Sequence, residues 1–301
     1  MITRLTTSAS NQQILSQLQV AGQNLADIQN QITTGRRINK MSDGPSDAVS
    51  SLARRASLSR AGQFERNIGE ANDWLGLQDS ALSSMTDKLS SVRTLLIQAQ
   101  SAATQSPSSL TAIAAQINSL RDGLIGDANA SRLGRPLFGG TTAGPAAYDA
   151  AGTYLGDNGD VNIPVSANTT LKVNQTGPAV FGTVNPADPT SGDVFQLLGS
   201  LVTAVQTGNT GAMSAGLAKI DTATDRIANA QVVVGARVNQ LDSLKSANDS
   251  SKLSLQASIS NLEDVDLASS IVTLKTREAG YQAALQATSR VVQMSLMDFL
   301  K

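Results

Sequence analysis

The sequence predicts a mainly α protein: an elongated antiparallel helical bundle and terminal coiled coil with a small β-rich insert domain. Three observations carry this prediction. Near both ends, apolar residues recur in alternating steps of four and three, which lays them on narrow stripes with the 3.5-residue period of a seam between helices. Between about residues 133 and 193 that period disappears, and Gly, Pro, Thr and Asn cluster around short alternating runs. Aromatic residues are only 3% of the 301-residue chain, so the helices are expected to pack through small and medium side chains.

The first stripe is Ile14, Leu18, Ala21, Leu25, Ile28 and Ile32. Gly35 and the turn-rich stretch 39–47 end it. Asp43-Gly44-Pro45 then reads as a helix start, with Asp43 as a cap candidate and Pro45 at the first helical position, where a missing N–H costs nothing. A long helix follows through Phe64, Ile68, Ala71, Leu75, Leu82, Met85, Leu89, Val92, Leu96, Ala99 and Ala103, broken in character only by Gln78. It stops before Pro107, and a shorter helix carries Ile113, Ile117, Leu120 and Leu124. In the insert, Thr153–Leu155 and Val161–Val165 flank Asn158-Gly159, a pairing that predicts a hairpin with a type I′ turn, while Thr170–Asn174 reads as another strand.

The second half mirrors the first. Leu217, Ile220, Thr224, Ile227, Gln231, Val234, Val238 and Leu241 form a stripe that turns polar at Lys245, Asn248 and Lys252 and resumes at Leu255, Ile259 and Leu262. The polar stretch 245–252 is expected to face a neighbouring subunit. The last segment presents Leu267, Ile271, Leu274, Tyr281, Leu285, Val292, Leu296 and Phe299. A narrow seam cannot bury itself, so the terminal helices must pair with each other or with neighbouring molecules, and their order is expected to depend on such a partner. The chain rises on one side, passes through the insert and returns, which brings its ends together. This divides it into 1–40 plus 265–301 as a terminal coiled-coil domain, 41–132 plus 194–264 as a long-helix bundle, and 133–193 as the insert. Repeated head-to-tail contacts between such subunits would build a tube rather than a closed ring.

Composition removes whole classes of function. Lys plus Arg total 23 against 24 for Asp plus Glu, a formal net charge of -1, so no broad field draws the chain to nucleic acid or to a membrane surface. With no Cys and no His, thiolate and imidazole chemistry and the usual zinc sites are absent. No enzyme, cofactor or metal is expected. An active site in the insert would have to use Asp149, Asp157, Asp160, Asp188 or Asp193, without the spacing of a calcium loop. Arg36, Arg37 and Lys40 form a small basic patch on a loop suited to salt bridges between subunits, together with Asp43 and Pro45. Glu263, Asp264 and Asp266 are expected to enrich the N-terminus of the last helix, where negative charge is favoured. The start of the chain carries no apolar run long enough for a cleaved signal, and no stretch of 18 apolar residues occurs.

The run from Gln31 to Asn39, QITTGRRIN, and the run from Ser42 to Ala48, SDGPSDA, are similar to the "QISTGKRIN…SDDPA" signature of the flagellin superfamily. Leu262–Ala268 matches its "LEDVDLA" motif, and Ser295–Leu300 resembles its "SLLDFL" ending. Within the insert, Gly134–Thr141, Tyr154–Asp157 and Val173–Phe181 resemble "GRYLFSGT", "YxGD" and "VNxTGxxVF", patterns of the hook-associated protein 3 branch, the hook–filament junction proteins; Pro136 stands where that motif has an aromatic. The resemblance implies an extracellular structural protein, exported unfolded through the flagellar type III apparatus without a cleaved signal. The terminal helices would form an inner coiled-coil layer, the long helices the next layer and the insert the outer surface. Implied partners are hook-associated protein 1, flagellin, further copies of itself in one layer, and a cytoplasmic export chaperone on the last helix. The alternative within the family is a short flagellin that builds the filament itself.

Overall fold

The computed structural model describes residues 2–101, 106–142, 144–183 and 192–299, with side chains from residue 12 to residue 289. Helices dominate it: α1 (Ile2–Thr34), α2 (Pro45–Gln100), α3 (Pro107–Ala128), α4 (Gly177–Phe181), α5 (Val194–Gln206), α6 (Thr210–Glu263) and α7 (Leu267–Phe299). Two antiparallel pairs of short strands lie between α3 and α4: β1 (Ser131–Arg132) with β2 (Arg135–Pro136), and β3 (Asn162–Pro164) with β4 (Thr170–Lys172). The mainly α architecture with a small β insert is the one the periodicities predict.

Local chemistry sets the element ends. Gly35 takes φ +69 directly after α1, a left-handed conformation that stops a helix cheaply only at glycine. Pro45 opens α2 as expected. Ser106 caps α3, its hydroxyl accepting from the Ser109 amide at 3.3 Å. Asp193 caps α5 in the same way, accepting from Phe195 N at 2.7 Å. Helix α5 is an element the seam patterns did not single out, although Asp193 followed by Val194, Leu197, Leu198 and Leu201 carries both a cap and a buried face.

The chain forms two compact units: Met1–Arg60 with Ser251–Lys301, and Ala61–Ser250. The second holds the main core. The α2 stripe from Ile68 to Ala99 is buried, as are Ile220, Ile227, Val234 and Leu241 of α6, and α3 packs on α5. Gln78 stays inside this stripe with its amide nitrogen donating to Leu137 O at 3.1 Å, while its side-chain oxygen is buried without a partner. Asn248, expected to face a neighbour, donates instead to Ala61 O at 3.0 Å within the unit, while Lys245 is exposed.

Few as they are, the aromatics are concentrated. Phe138, Tyr148, Phe181 and Phe195 are fully buried, and Phe181 lies 5.2, 5.6 and 5.4 Å from the other three rings. The insert and the start of α5 thus share an aromatic core. The Tyr148 hydroxyl is buried without a hydrogen-bond partner, and burial pushes its pKa up. Tyr148→Phe removes this orphan group and should leave stability unchanged or raise it by about 1 kcal/mol; a denaturant midpoint decides.

The predicted hairpin across Asn158-Gly159 does not form. Val161–Pro164 turns the other way, β3 pairing with β4 in the register Asn162↔Lys172, Ile163↔Leu171 and Pro164↔Thr170. Tyr154 pairs instead with Tyr148. The physical reason is a side chain. Asp157 accepts from Thr141 N at 2.6 Å, Thr141 Oγ1 at 2.5 Å and Gly159 N at 2.9 Å, so it organises the loop without positive φ at Asn158. These bonds, that from the Thr141 hydroxyl foremost, hold the Asp157 carboxyl at about 2. The tight two-residue turn lies elsewhere, at Leu133-Gly134, with φ 51 and 80. Leucine is costly there, and its side chain is 90% exposed. Leu133→Asn should stabilise the second unit by about 1 kcal/mol, read as a higher melting temperature.

Candidate assembly interface

In the first unit, α1 and α7 pack against each other. The pairing is antiparallel. Arg36 forms a β-bridge with Asp264. Further along, Arg277 Nη1 donates to Asn24 O at 2.9 Å. The Tyr281 ring covers Gly22, 3.5 Å from where a Cβ would stand. The α1 seam therefore finds its partner in α7.

The six α1 positions occupy the shielded face: Ile28 is buried, and Ile14, Leu18, Ala21, Leu25 and Ile32 are half-buried. On α7 the outcome is split. Leu274 and Tyr281 are half-buried, but Leu267, Ile271 and Leu285 are 50%, 49% and 42% exposed. The shielded stripe runs instead through Ser270, Leu274, Tyr281, Ala284 and Thr288. Hydrophobicity alone picked a line that straddles two adjacent faces of the helix. The side chains of Val292, Leu296 and Phe299 lie outside the described residues.

The loop after α1 is clasped to the α6–α7 junction. Arg37 N donates to Glu263 O at 2.6 Å and Val265 N to Gly35 O at 3.0 Å. Arg37 Nη2 donates to Leu262 O and to Asp47 Oδ2, both at 2.8 Å. Asp43 accepts from Lys40 N at 2.8 Å and Asn39 N at 3.0 Å, and these amides, Lys40 first, hold its carboxyl below the usual range. Arg37 and Asp43, proposed from sequence for contacts between subunits, are thus engaged within the chain, while Arg36 and Pro45 are exposed.

Of the three acids assigned to the start of α7, only Asp266 caps it, accepting from Ala268 N at 3.0 Å and Ser269 N at 3.3 Å. Glu263 ends α6 and is buried. It pairs with Arg55, whose Nε donates at 2.7 Å, and accepts from the Ser51 hydroxyl. The Arg55 guanidinium is the main reason its carboxyl sits below the usual carboxylate range. Arg55→Ala leaves that carboxylate buried without its cation and should cost about 1–3 kcal/mol, visible as a lower first-unit transition. Because the Glu263 pKa is depressed, the clasp's contribution is complete above its unfolded value, about 4.3, and is lost as pH falls through the lower folded value. Acid should therefore loosen the clasp in the parent protein and have less effect in Glu263→Gln.

This unit leaves much apolar surface in water. Ile28 is its one buried apolar side chain among the described residues, while Leu15, Val20, Met41, Val49, Leu52, Leu253, Leu267, Ile271, Val272 and Leu285 are 42–68% exposed. No helix among the described residues is long and apolar enough to cross a membrane.

The carboxylates of the insert are engaged structurally. Asp149 accepts from Thr153 N at 2.7 Å, Asp160 pairs with Lys172, Asp157 organises the loop described above and Asp193 caps α5. Asp188 lies outside the described residues.

The family model for the bacterial flagellin N-terminal helical region matches residues 5–143, and that for the bacterial flagellin C-terminal helical region matches residues 217–300. The chain belongs to the flagellin family. As a member it is a structural component of the bacterial flagellum. Over 285 residues it is 25% identical to flagellar hook-associated protein 3 of Salmonella typhimurium, covering 88% of this chain and 90% of the relative. The protein of the same name from Escherichia coli is 23% identical over 290 residues, covering 90% and 91%. The fold is also that of Bacillus cereus FlgL, with a TM-score of 0.60 and 24% identity, covering 69% of this chain and 99% of that one. It is likewise that of the flagellar junction protein FlgL from Legionella pneumophila, with a TM-score of 0.57 and 17% identity, covering 71% and 100%.

Proposed function

We propose that this flagellin-family protein forms the hook–filament junction, assembling as a layer of copies between hook-associated protein 1 and the first flagellin subunits. The observation that carries the reading is the contrast between the two units. The second buries a continuous core, whereas the first exposes a broad set of large apolar side chains and, among the described residues, buries one apolar side chain, Ile28. A unit built this way gains most of its stability from neighbours, as the subunits of a helical lattice do. The names of its sequence relatives favour the junction over the filament.

In this reading, residues 1–40 with 265–301 form the inner layer around the channel, 41–132 with 194–264 the next, and 133–193 the outer surface. The N-terminal seam Ile14–Ile32 holds α7 within this layer, and the exposed α7 residues Leu267, Ile271 and Leu285 meet other subunits, as do Arg36 and Pro45 on the loop. Before assembly, export through the flagellar type III apparatus requires those apolar residues to be kept from aggregating. A cytoplasmic chaperone bound to the last helix would do this. The protein works by geometry and not by catalysis.

Seeded assembly tests the reading. Purified protein is added to hook ends coated with hook-associated protein 1, and growth is followed by electron microscopy. A short layer that elongates only when flagellin is supplied is the expected result. Long filaments of this protein alone would make it a short flagellin and overturn the junction role.

A further inference from the structure

Resting on the assembly reading above, we infer that a groove in the first unit receives the start of α7 from a second copy of the chain. The groove, about 330 Å³ in volume, lies between the loop after α1, the first turns of α2 and Glu263. Its apolar lining includes Met41 and Leu52, which are 63% and 59% exposed. Arg36, Lys40 and Arg55 line the same groove. Its one acid, Glu263, is already bonded by Arg55 and Ser51. The groove therefore combines net positive charge with an apolar surface and fits an acidic segment that has an apolar face.

The same unit carries such a segment. Most of its acids are engaged: Asp43 by the Asn39 and Lys40 amides, Asp47 by Arg37, Glu278 by Lys275 and Asp27, more loosely, by Lys40 at 3.9 Å. Asp264, whose carboxylate accepts from the Ser260 hydroxyl, and Asp266 have no cation paired with them among the described residues and are exposed. They lead directly into Leu267, Ile271 and Val272, which are 50%, 49% and 67% exposed. Leu267 and Ile271 are four residues apart on α7 and share a face. Asp266 caps the helix, which fixes its charge beside that face.

The segment does not fill its own groove. Bonds between Gly35 and Val265 and between Arg37 and Glu263 tether the junction beside the loop, and Leu267 and Ile271 stay in water. Groove and segment are different surfaces, so the contact between copies is head-to-tail and can repeat along a layer.

The chain has no cysteine, which makes disulfide trapping specific. Met41→Cys and Ile271→Cys proteins are prepared separately, one with a mass tag, mixed in equal amounts, assembled on coated hook ends and oxidised with diamide. Mixed cross-linked pairs should dominate, be absent from dilute unassembled protein, and be lost when Arg36→Glu and Lys40→Glu are added to the Met41→Cys chain. Like pairs alone, links only to flagellin, or no link in a layer that still supports flagellin growth would overturn the proposal and leave the junction reading standing. If the parent protein does not coat hook ends, the junction reading fails instead. The same mixed pair is then sought in the filaments the protein grows by itself, and its absence there overturns the proposal.

Discussion

Replacing Ile28 with glutamate is expected to abolish incorporation into a hook-end layer while leaving the melting transition of the second unit unchanged. Ile28 is 7% exposed and is the fifth of the six α1 seam positions. Burying a carboxylate there without a partner costs several kcal/mol, or forces the helix to turn the position out to water. An ordinary core could spread such a cost over many contacts. The first unit has no other buried apolar side chain among its described residues, so the pairing of α1 with α7 depends heavily on this stripe. In a lattice the defect recurs in every subunit. Co-sedimentation with coated hook ends, read beside a thermal melt, separates the two effects. Normal incorporation of Ile28→Glu would mean that the α1 seam is not an assembly element.

Phe181→Ala should destabilise the second unit by about 3–5 kcal/mol, the usual cost of emptying a buried phenylalanine site. Phe181 is 1% exposed and meets Phe138 edge-on, with interplanar angle 71°, and Tyr148 at 80°. Phe195, at the start of α5, lies on it as well. The variant therefore weakens the link between the insert and the helix that follows it, which the Tyr148–Phe195 contact at 4.8 Å still carries in part, and rigid rings cannot collapse into the space. A denaturant titration should show a lower midpoint with an unchanged slope. Because Phe181 belongs to the second unit, the α1–α7 pair should persist. A shift of less than about 1 kcal/mol would mean that this cluster relaxes into the gap.

How far the sequence could be read depended on whether a feature was local. Pro45 at a helix start, Gly35 as a stop and the α1 stripe are consequences of backbone sterics and period, and they stand in the structure as expected. The hairpin was misplaced because Asn158-Gly159 satisfies a turn rule locally, whereas Asp157 binds Thr141 sixteen residues away. Glu263 was assigned to the wrong helix for a similar reason. Its neighbours Asp264 and Asp266 suggest a helix start, and only its reach to Ser51 and Arg55, more than two hundred residues earlier, shows that it ends α6.

By itself, the sequence determined that the chain is helical at both ends, interrupted by a small β region, free of thiol and imidazole chemistry, and provided with narrow seams that demand partners. These properties follow from residue spacing and side-chain type, which are the same in any environment. The tertiary structure alone decided which face of α7 meets α1, leaving Leu267 and Ile271 in water, and which of the acids and bases near the α6–α7 junction are satisfied internally. Those outcomes depend on which groups from distant parts of the chain arrive within hydrogen-bonding reach. A heptad period shows that a helix has a seam; the packing of its neighbours decides which side becomes the seam and which side is left for another molecule.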